Sequence, residues 1–348
     1  MASLNAPKKF VTLGMFIIDE FSFMDEEGQP TGRTLEPQES QLRPLTTAIG
    51  GGGTYAAIGA RIWLPPSEIG MIVDRGYDFP ETIEKRLLEY GKEMWMFREQ
   101  RHLGTTKALN SYRGEYRGFE YKTPRLRLTP KDLAGNDLEK PKILHFICSP
   151  SRASAIMSEV EEGWKPITVY EPIPDQCVPE ELPALKEVLP LISILSPNAE
   201  EALSLLSLPL PPTKDIIEKA ADKFLDIGVG DQKSGWIVIR SGPKGSYLKS
   251  RETNGIWVDA FWTAEDTEKV VDVTGAGNAF LGGFAAGMVL SGDVYQATLY
   301  AAVSASFIIE QEGLPSLLRA SSLEESWNGD IPLRRLRVLQ TRQENNPN

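Results

Sequence analysis

VVDVTGAGNAFLGGF, residues 270–284, is the stretch on which the reading of this chain turns. Two valines and Asp272 read as the end of a strand, Gly275-Ala276-Gly277 as a loop, and the apolar run that follows as a helix. Glycine has no Cβ, so Gly275 and Gly277 let the backbone come close to a ligand. The first amides of the helix, at the positive end of its dipole, would face the loop and hold negative charge. The loop leads into Asn278, an amide that takes no proton near neutral pH.

Outward from this stretch the chain alternates short apolar runs with helical patterns. Residues 10–18, 69–73, 143–147, 167–171, 192–196 and 236–242 read as buried strands. They are nearly continuous in apolar residues, which fits a sheet covered on both faces. Helical patterns over 55–63, 83–90, 151–162, 179–188, 200–207 and 215–227 lie between them. The repetition predicts an α/β fold, a doubly wound and mostly parallel sheet flanked by helices. Ligands of such sheets bind beyond the carboxyl ends of the strands, where residues 272–278 are expected. Residues 20–45 and 103–128 break the rhythm with turn-rich, aromatic and charged sequence and are expected to form a small β lid. Residues 1–19, 46–102 and 129–340 then make up the nucleotide- and substrate-binding core, and 341–348 a disordered tail.

The 348 residues carry a formal net charge of -11 with 41% hydrophobic content, enough for a sizeable core. No basic stripe stands out, which argues against nucleic acid or an acidic membrane surface as a partner. No apolar stretch reaches the ~20 residues of a membrane span, and the N-terminal residues lack a signal-peptide pattern. Cys148 and Cys177 lie outside any CxxC spacing and read as buried thiols of a reducing compartment, so a cytoplasmic location is expected. His145 reads as a core residue and His102 as part of a solvated loop. Nothing about the two histidines points to a metal site or a catalytic dyad.

Residues 270–287 resemble the signature of the PfkB, or ribokinase-like, family of carbohydrate and nucleoside kinases, which reads Asp, a variable residue, Thr, then Gly-Ala-Gly-Asp. Further marks occur in order over residues 8–315. LGMFIIDE is similar to the family's first strand, ending in an acid that contacts substrate hydroxyls, here Asp19. GGGGTYAAIGAR resembles its diglycine motif, with Gly51 and Gly52, and Tyr55 falls near a sugar-binding Asn of many members. SPNAEEA carries Asn-x-x-Glu as Asn198 and Glu201, which the resemblance implies in magnesium and phosphate positioning, Glu201 acting on the metal through water. IRSGPKGSYL resembles the strand end near the nucleotide, with Ser241, Gly242 and Gly245.

The resemblance implies ATP and Mg2+ as cofactors, a small sugar- or nucleoside-like substrate, and transfer of the γ-phosphoryl group to a hydroxyl. The loop of Gly275, Ala276 and Gly277 would stabilise the transferring group. The family's catalytic Asp is Asn278 here, as in a fungal offshoot, and losing a general base costs about 10²–10⁴ in rate. Asp19, Glu171 and Asp272 are the acids available as substitutes, with hydrogen bonding to substrate or loop anchoring as their alternative roles. Glu171-Pro172-Ile173 stands where the family has Asp-Pro-Asn. Thr105 and Thr106 are expected at lid or substrate contacts, and Arg113 and Arg117 near phosphate or on a solvated lid face. Three readings follow: a slow or atypical kinase, an inactive ligand-binding pseudokinase, and a site repurposed for another reaction. A homodimer through the lid is a further expectation.

Overall fold

The computed structural model describes residues 7–24, 46–113, 116–319 and 325–345. In chain order the elements that frame the site are β1 (Phe10–Thr12), β2 (Ile17–Met24), β3 (Thr46–Gly50), α1 (Gly52–Arg61), β4 (Ile69–Gly76), α2 (Glu81–Glu89), β5 (Trp95–Gln100), β6 (Lys107–Arg113) and β7 (Tyr116–Tyr121). They continue with β8 (Ile143–Cys148), α3 (Pro150–Ser158), β9 (Ile167–Pro172), α4 (Leu182–Val188), β10 (Ile194–Leu195), α5 (Ala199–Leu205), α6 (Lys214–Ile227), β11 (Trp236–Arg240), β12 (Ser246–Ser250), β13 (Ile256–Val258), α7 (Ala276–Ser291), α8 (Val294–Ile308) and α9 (Pro332–Asn345).

Nine strands form one sheet in the order β13-β12-β11-β10-β9-β8-β1-β4-β5. Pairing is parallel from β5 across to β11 and antiparallel only through β12 and β13. Residues such as Phe10, Leu144, Val169 and Val238 are fully buried, because helices cover both faces and each strand side needs an apolar neighbour. One cluster packs the sheet against α1, α7 and α8, and the other packs it against α3 to α6. Against α1, α7 is packed backbone to backbone. A Cβ on Gly282 would come 1.8 Å from the Ala56 carbonyl oxygen, and one on Gly59 would come 2.1 Å from that of Ala279. The small residues of GGGGTYAAIGAR and GAGNAFLGGF thus bring the two helix N-termini side by side.

A separate four-stranded sheet has the order β3-β2-β6-β7, with β2 and β6 parallel and the outer pairs antiparallel. It takes up parts of both stretches that interrupt the α/β rhythm, while residues 25–45 lie outside the described set. None of the described helices is long and apolar enough to cross a membrane.

Two expectations are corrected. Residues 10–18 are not one strand: β1 ends at Thr12 in the large sheet, and β2 begins at Ile17 in the small one. Gly14 is in the link, and the Gly14 N–H donates to Thr12 Oγ1 at 3.0 Å. Val270-Val271-Asp272 is not a strand end either. The Val271 and Asp272 N–H groups both donate to one carbonyl, that of Ile309 after α8, and Val271 and Val273 are 58% and 67% exposed. Without an adjacent strand edge, an apolar run has no ladder to join.

Candidate active site

A cavity of about 820 Å³ opens at the carboxyl ends of β1, β8, β9 and β11. This is the expected place for a ligand in an open parallel sheet, and the volume is within the ~300–1,000 Å³ usual for small-molecule sites. Its floor is the first turn of α7. Gly275 caps that helix in the left-handed conformation (φ 76°), and a Cβ there would come 2.2 Å from the Tyr55 ring. Glycine is required on both counts. The Gly277 and Asn278 N–H groups have no acceptor among the described residues, as first-turn amides do unless something outside the helix supplies one. Asp272 secures the approach to this turn, its Oδ1 accepting from the Thr274 N–H at 2.9 Å and hydroxyl at 2.8 Å.

The Asn278 side chain reaches across to β9. Its Nδ2 donates to Glu171 Oε2 at 2.8 Å, bridging 107 residues of sequence. The other Glu171 oxygen, Oε1, is 2.8 Å from Arg240 Nη1. Arg240 Nη2 donates to the Ser196 carbonyl at 3.0 Å and lies 3.6 Å from Glu201 Oε2. The end of β11 is held by an N–H bond from Arg240 to the Pro197 carbonyl, which aims the guanidinium under α7. A Cβ on Gly277 would come 2.1 Å from Arg240 Nη1, so glycine is what lets the guanidinium reach Glu171. Burial opposes the charge on Glu171, but Arg240, His145 and the Asn278 amide outweigh it and hold the carboxyl below its ordinary pKa. His145 Nδ1 is hydrogen-bonded to Thr12 Oγ1 at 3.0 Å, while Nε2 lies 3.7 Å from Glu171 and has no hydrogen-bond partner among the described residues.

Asn198 and Glu201 form a reciprocal cap on α5. Asn198 Oδ1 accepts from the Glu201 N–H at 2.8 Å, and Glu201 Oε2 accepts from the Asn198 N–H at 2.7 Å. The Asn-x-x-Glu spacing is thereby accounted for structurally. Burial pushes the Glu201 carboxyl up to about 7, against the opposing pull of Arg240.

The cavity brings together Asp19, Gly51, Gly52, Tyr55, Glu171, Asn198, Glu201, Gly242, Gly275, Gly277 and Asn278 from the sequence-derived set. Asp19 is packed beneath Gly50, where a Cβ would come 1.8 Å from Oδ2. Thr105, Ser241, Gly245 and Asp272 do not line it. Thr105 is buried, and its hydroxyl accepts from the Gly76 N–H at 3.2 Å. Thr106 is also buried outside the lining. Ser241 and Gly245 close the turn after β11 through a Ser241 N–H to Gly245 carbonyl bond. The side chains of Arg113 and Arg117 lie outside the described set. Arg240, Arg125, Arg127, Arg152, Asn110 and Phe119 line the cavity without having been singled out in the sequence. Arg240 carried one signal, a charge closing the buried run WIVIR directly before Ser241-Gly242.

The sequence pattern of the pfkB family carbohydrate kinases matches residues 100–319. An uncharacterized protein of Schizosaccharomyces pombe is 31% identical, spanning 94% of this chain and 92% of that protein. Over 94% of this chain and 90% of its own length, protein MAK32 of Saccharomyces cerevisiae is likewise 31% identical. This chain belongs to the pfkB family. Its full-length relatives named here are fungal, and its fold is that of ribokinases. The Arabidopsis thaliana ribokinase complexed with ribose and ATP superimposes with a TM-score of 0.66 at 18% identity, covering 96% of this chain and 99% of that one. For a putative ribokinase II from E. coli, in complex with ATP and Mg2+, the TM-score is 0.64 at 18% identity, with 96% and 99% covered.

Proposed function

We propose that this pfkB-family chain is an ATP-dependent phosphotransferase acting, slowly for its family, on a hydroxyl of a small sugar- or nucleoside-like molecule. The observation that carries this reading is the first turn of α7, whose Gly277 and Asn278 amides lack acceptors among the described residues and belong to residues lining the cavity. Such a turn stabilises charge developing on a transferring phosphoryl group. The acceptor oxygen attacks the γ-phosphorus, the bond to the β-phosphate oxygen breaks, and ADP leaves. Because Nδ2 of Asn278 is committed to Glu171, its Oδ1 is left to accept from the acceptor hydroxyl and orient it. Asn278 takes no proton. In a loose transition state the hydroxyl keeps its proton until late and then passes it to an oxygen of the transferred phosphoryl group, from which it exchanges with water, so positioning carries much of the rate.

Magnesium and ATP belong to the same proposal. Magnesium keeps most of its waters and is commonly bound through one or two carboxylates plus phosphates. Glu201 fits that donor set: it lines the cavity and has one oxygen, Oε1, without a hydrogen bond to a described residue. Bound there, the cation would neutralise phosphate charge. Two free buried cysteines support a reducing, cytoplasmic location. The four-stranded sheet is assigned the role of a lid and, through its outer strands, of a contact with a second copy, which sedimentation would test.

A second reading, a ligand-binding protein without turnover, is favoured by the ion pair of Glu171 with Arg240, which leaves the nearest carboxylate to Asn278 a poor proton acceptor. Single-turnover assays with labelled ATP and a library of hydroxyl compounds separate the two. Transfer to any acceptor by the wild-type chain supports the kinase. Saturable binding of a non-hydrolysable ATP analogue with no transfer supports the second reading.

A further inference from the structure

Part of the cavity lining is cationic. Arg125 and Arg127 lie on the stretch that leads out of β7, and Arg152 stands in the first turn of α3; all three line the cavity. Arg125 and Arg127 are exposed, whereas Arg152 is half-buried. Among the described residues none of the three joins an ion pair, in a chain of net charge -11. That is unusual company for guanidinium groups, since most other arginines of the described residues are paired, such as Arg61 with Glu325 and Arg98 with Asp74.

The arrangement is built. Arg152 Nη2 donates to the Arg127 and Leu128 carbonyls at 3.1 and 3.0 Å, which ties the Arg127 backbone to α3. Arg125 is stacked 4.6 Å from the centre of the Tyr121 ring. Arg127 and Arg152 both act electrostatically on the buried Cys148 thiol at the end of β8, so the two charges converge on that end of the cavity. Guanidinium forks are suited to the planar, paired oxygens of carboxylate and phosphate. Asp19 and Asp175 are further charged residues of the lining.

The geometry points to an acceptor that carries its own oxyanion: a small polyol bearing a phosphate or carboxylate, bound with that group on Arg125, Arg127 and Arg152 and its hydroxyl toward Asn278. This inference rests on the kinase reading of the same cavity, yet it concerns binding and is tested without turnover. The probes are glucose, glucose 6-phosphate and gluconate, titrated by calorimetry into the full chain saturated with a non-hydrolysable ATP analogue, so that the α7 turn is already occupied. Nucleotide binding is measured separately; its failure sinks the kinase reading alone, and the panel is then titrated into the free chain.

At least one of the two anions should bind about tenfold or more tightly than glucose, as expected for hydrogen bonds to a charged group. The R125A/R127A double variant, whose exposed side chains put folding at little risk, should remove that preference while leaving nucleotide affinity in place. Which anion gains tells phosphate from carboxylate. Equal binding of glucose and both anions, no binding of any of the three, or a preference that survives R125A/R127A would each overturn the inference.

Discussion

An aspartate at 278 would put a carboxylate against the Glu171 oxygen that now accepts from the Asn278 amide at 2.8 Å. Two like charges at that distance cannot both persist without cost. N278D is therefore expected to lose about 1.5–3 kcal/mol near neutral pH, the worth of a hydrogen bond to a charged group, and to recover part of it in acid. The E171Q/N278D double variant removes the clash and should regain stability at neutral pH; urea titrations of the three proteins at pH 5 and 7.5 check this. Arg240 is the second residue on which the site depends. R240M leaves Glu171 buried without its ion pair and is expected to cost about 3–5 kcal/mol, most of it recovered in R240M/E171Q. A double variant no more stable than R240M would show that the guanidinium matters through its other contacts. Glu171 and Asn278 were both legible in the sequence as candidates, and both line the cavity. Their bond to each other was not legible, because nothing in either segment reports a partner 107 residues away.

At the scale of elements, the cap on α5 carries a pH dependence. Glu201 titrates at about 7 in the folded chain against an ordinary 4.5, because burial penalises its charge. The raised value means that its contribution to stability is fully present below 4.5 and is lost as pH rises toward 7. Glutamine preserves the cap without acquiring the charge. The thermal midpoint of E201Q minus that of wild type should thus grow between pH 4.5 and 7 and level off above; a difference independent of pH would remove the assignment. The first turn of α7 gives a steric test. Alanine at Gly277 would place a Cβ 2.1 Å from Arg240 Nη1 and displace the guanidinium from Glu171. G277A is expected to lower the thermal midpoint and weaken binding of the ATP analogue together, read by thermal shift with and without nucleotide. The sequence pattern named the helix, but Ala276 and Gly277, read as loop, already belong to its first turn, and only Gly275 precedes it as the cap. The pattern misread Val270-Val271-Asp272 as a strand, because apolar character marks a strand only where a neighbouring edge is available.

For the whole molecule, the cavity is assembled from two sheets, since Asn110, Phe119 and Tyr121 of the small one face residues at the strand ends of the large one. If the small sheet closes over bound ligands, hydrogen exchange of β2, β6 and β7 should slow with ATP analogue and acceptor together, while that of β8 and β9 stays unchanged. Uniform slowing across both sheets would indicate general stabilisation by ligand instead. The sequence by itself determined the parallel α/β architecture and the glycine-capped start of α7, because continuous apolar runs and closely spaced glycines are local patterns with few structural solutions. Only the tertiary structure decided that residues 10–18 divide between two sheets, that Arg240 neutralises Glu171, and that three arginines line one cavity. Each of these depends on contacts between segments distant in the chain, and a side chain's charge carries no information about which distant group will stand beside it.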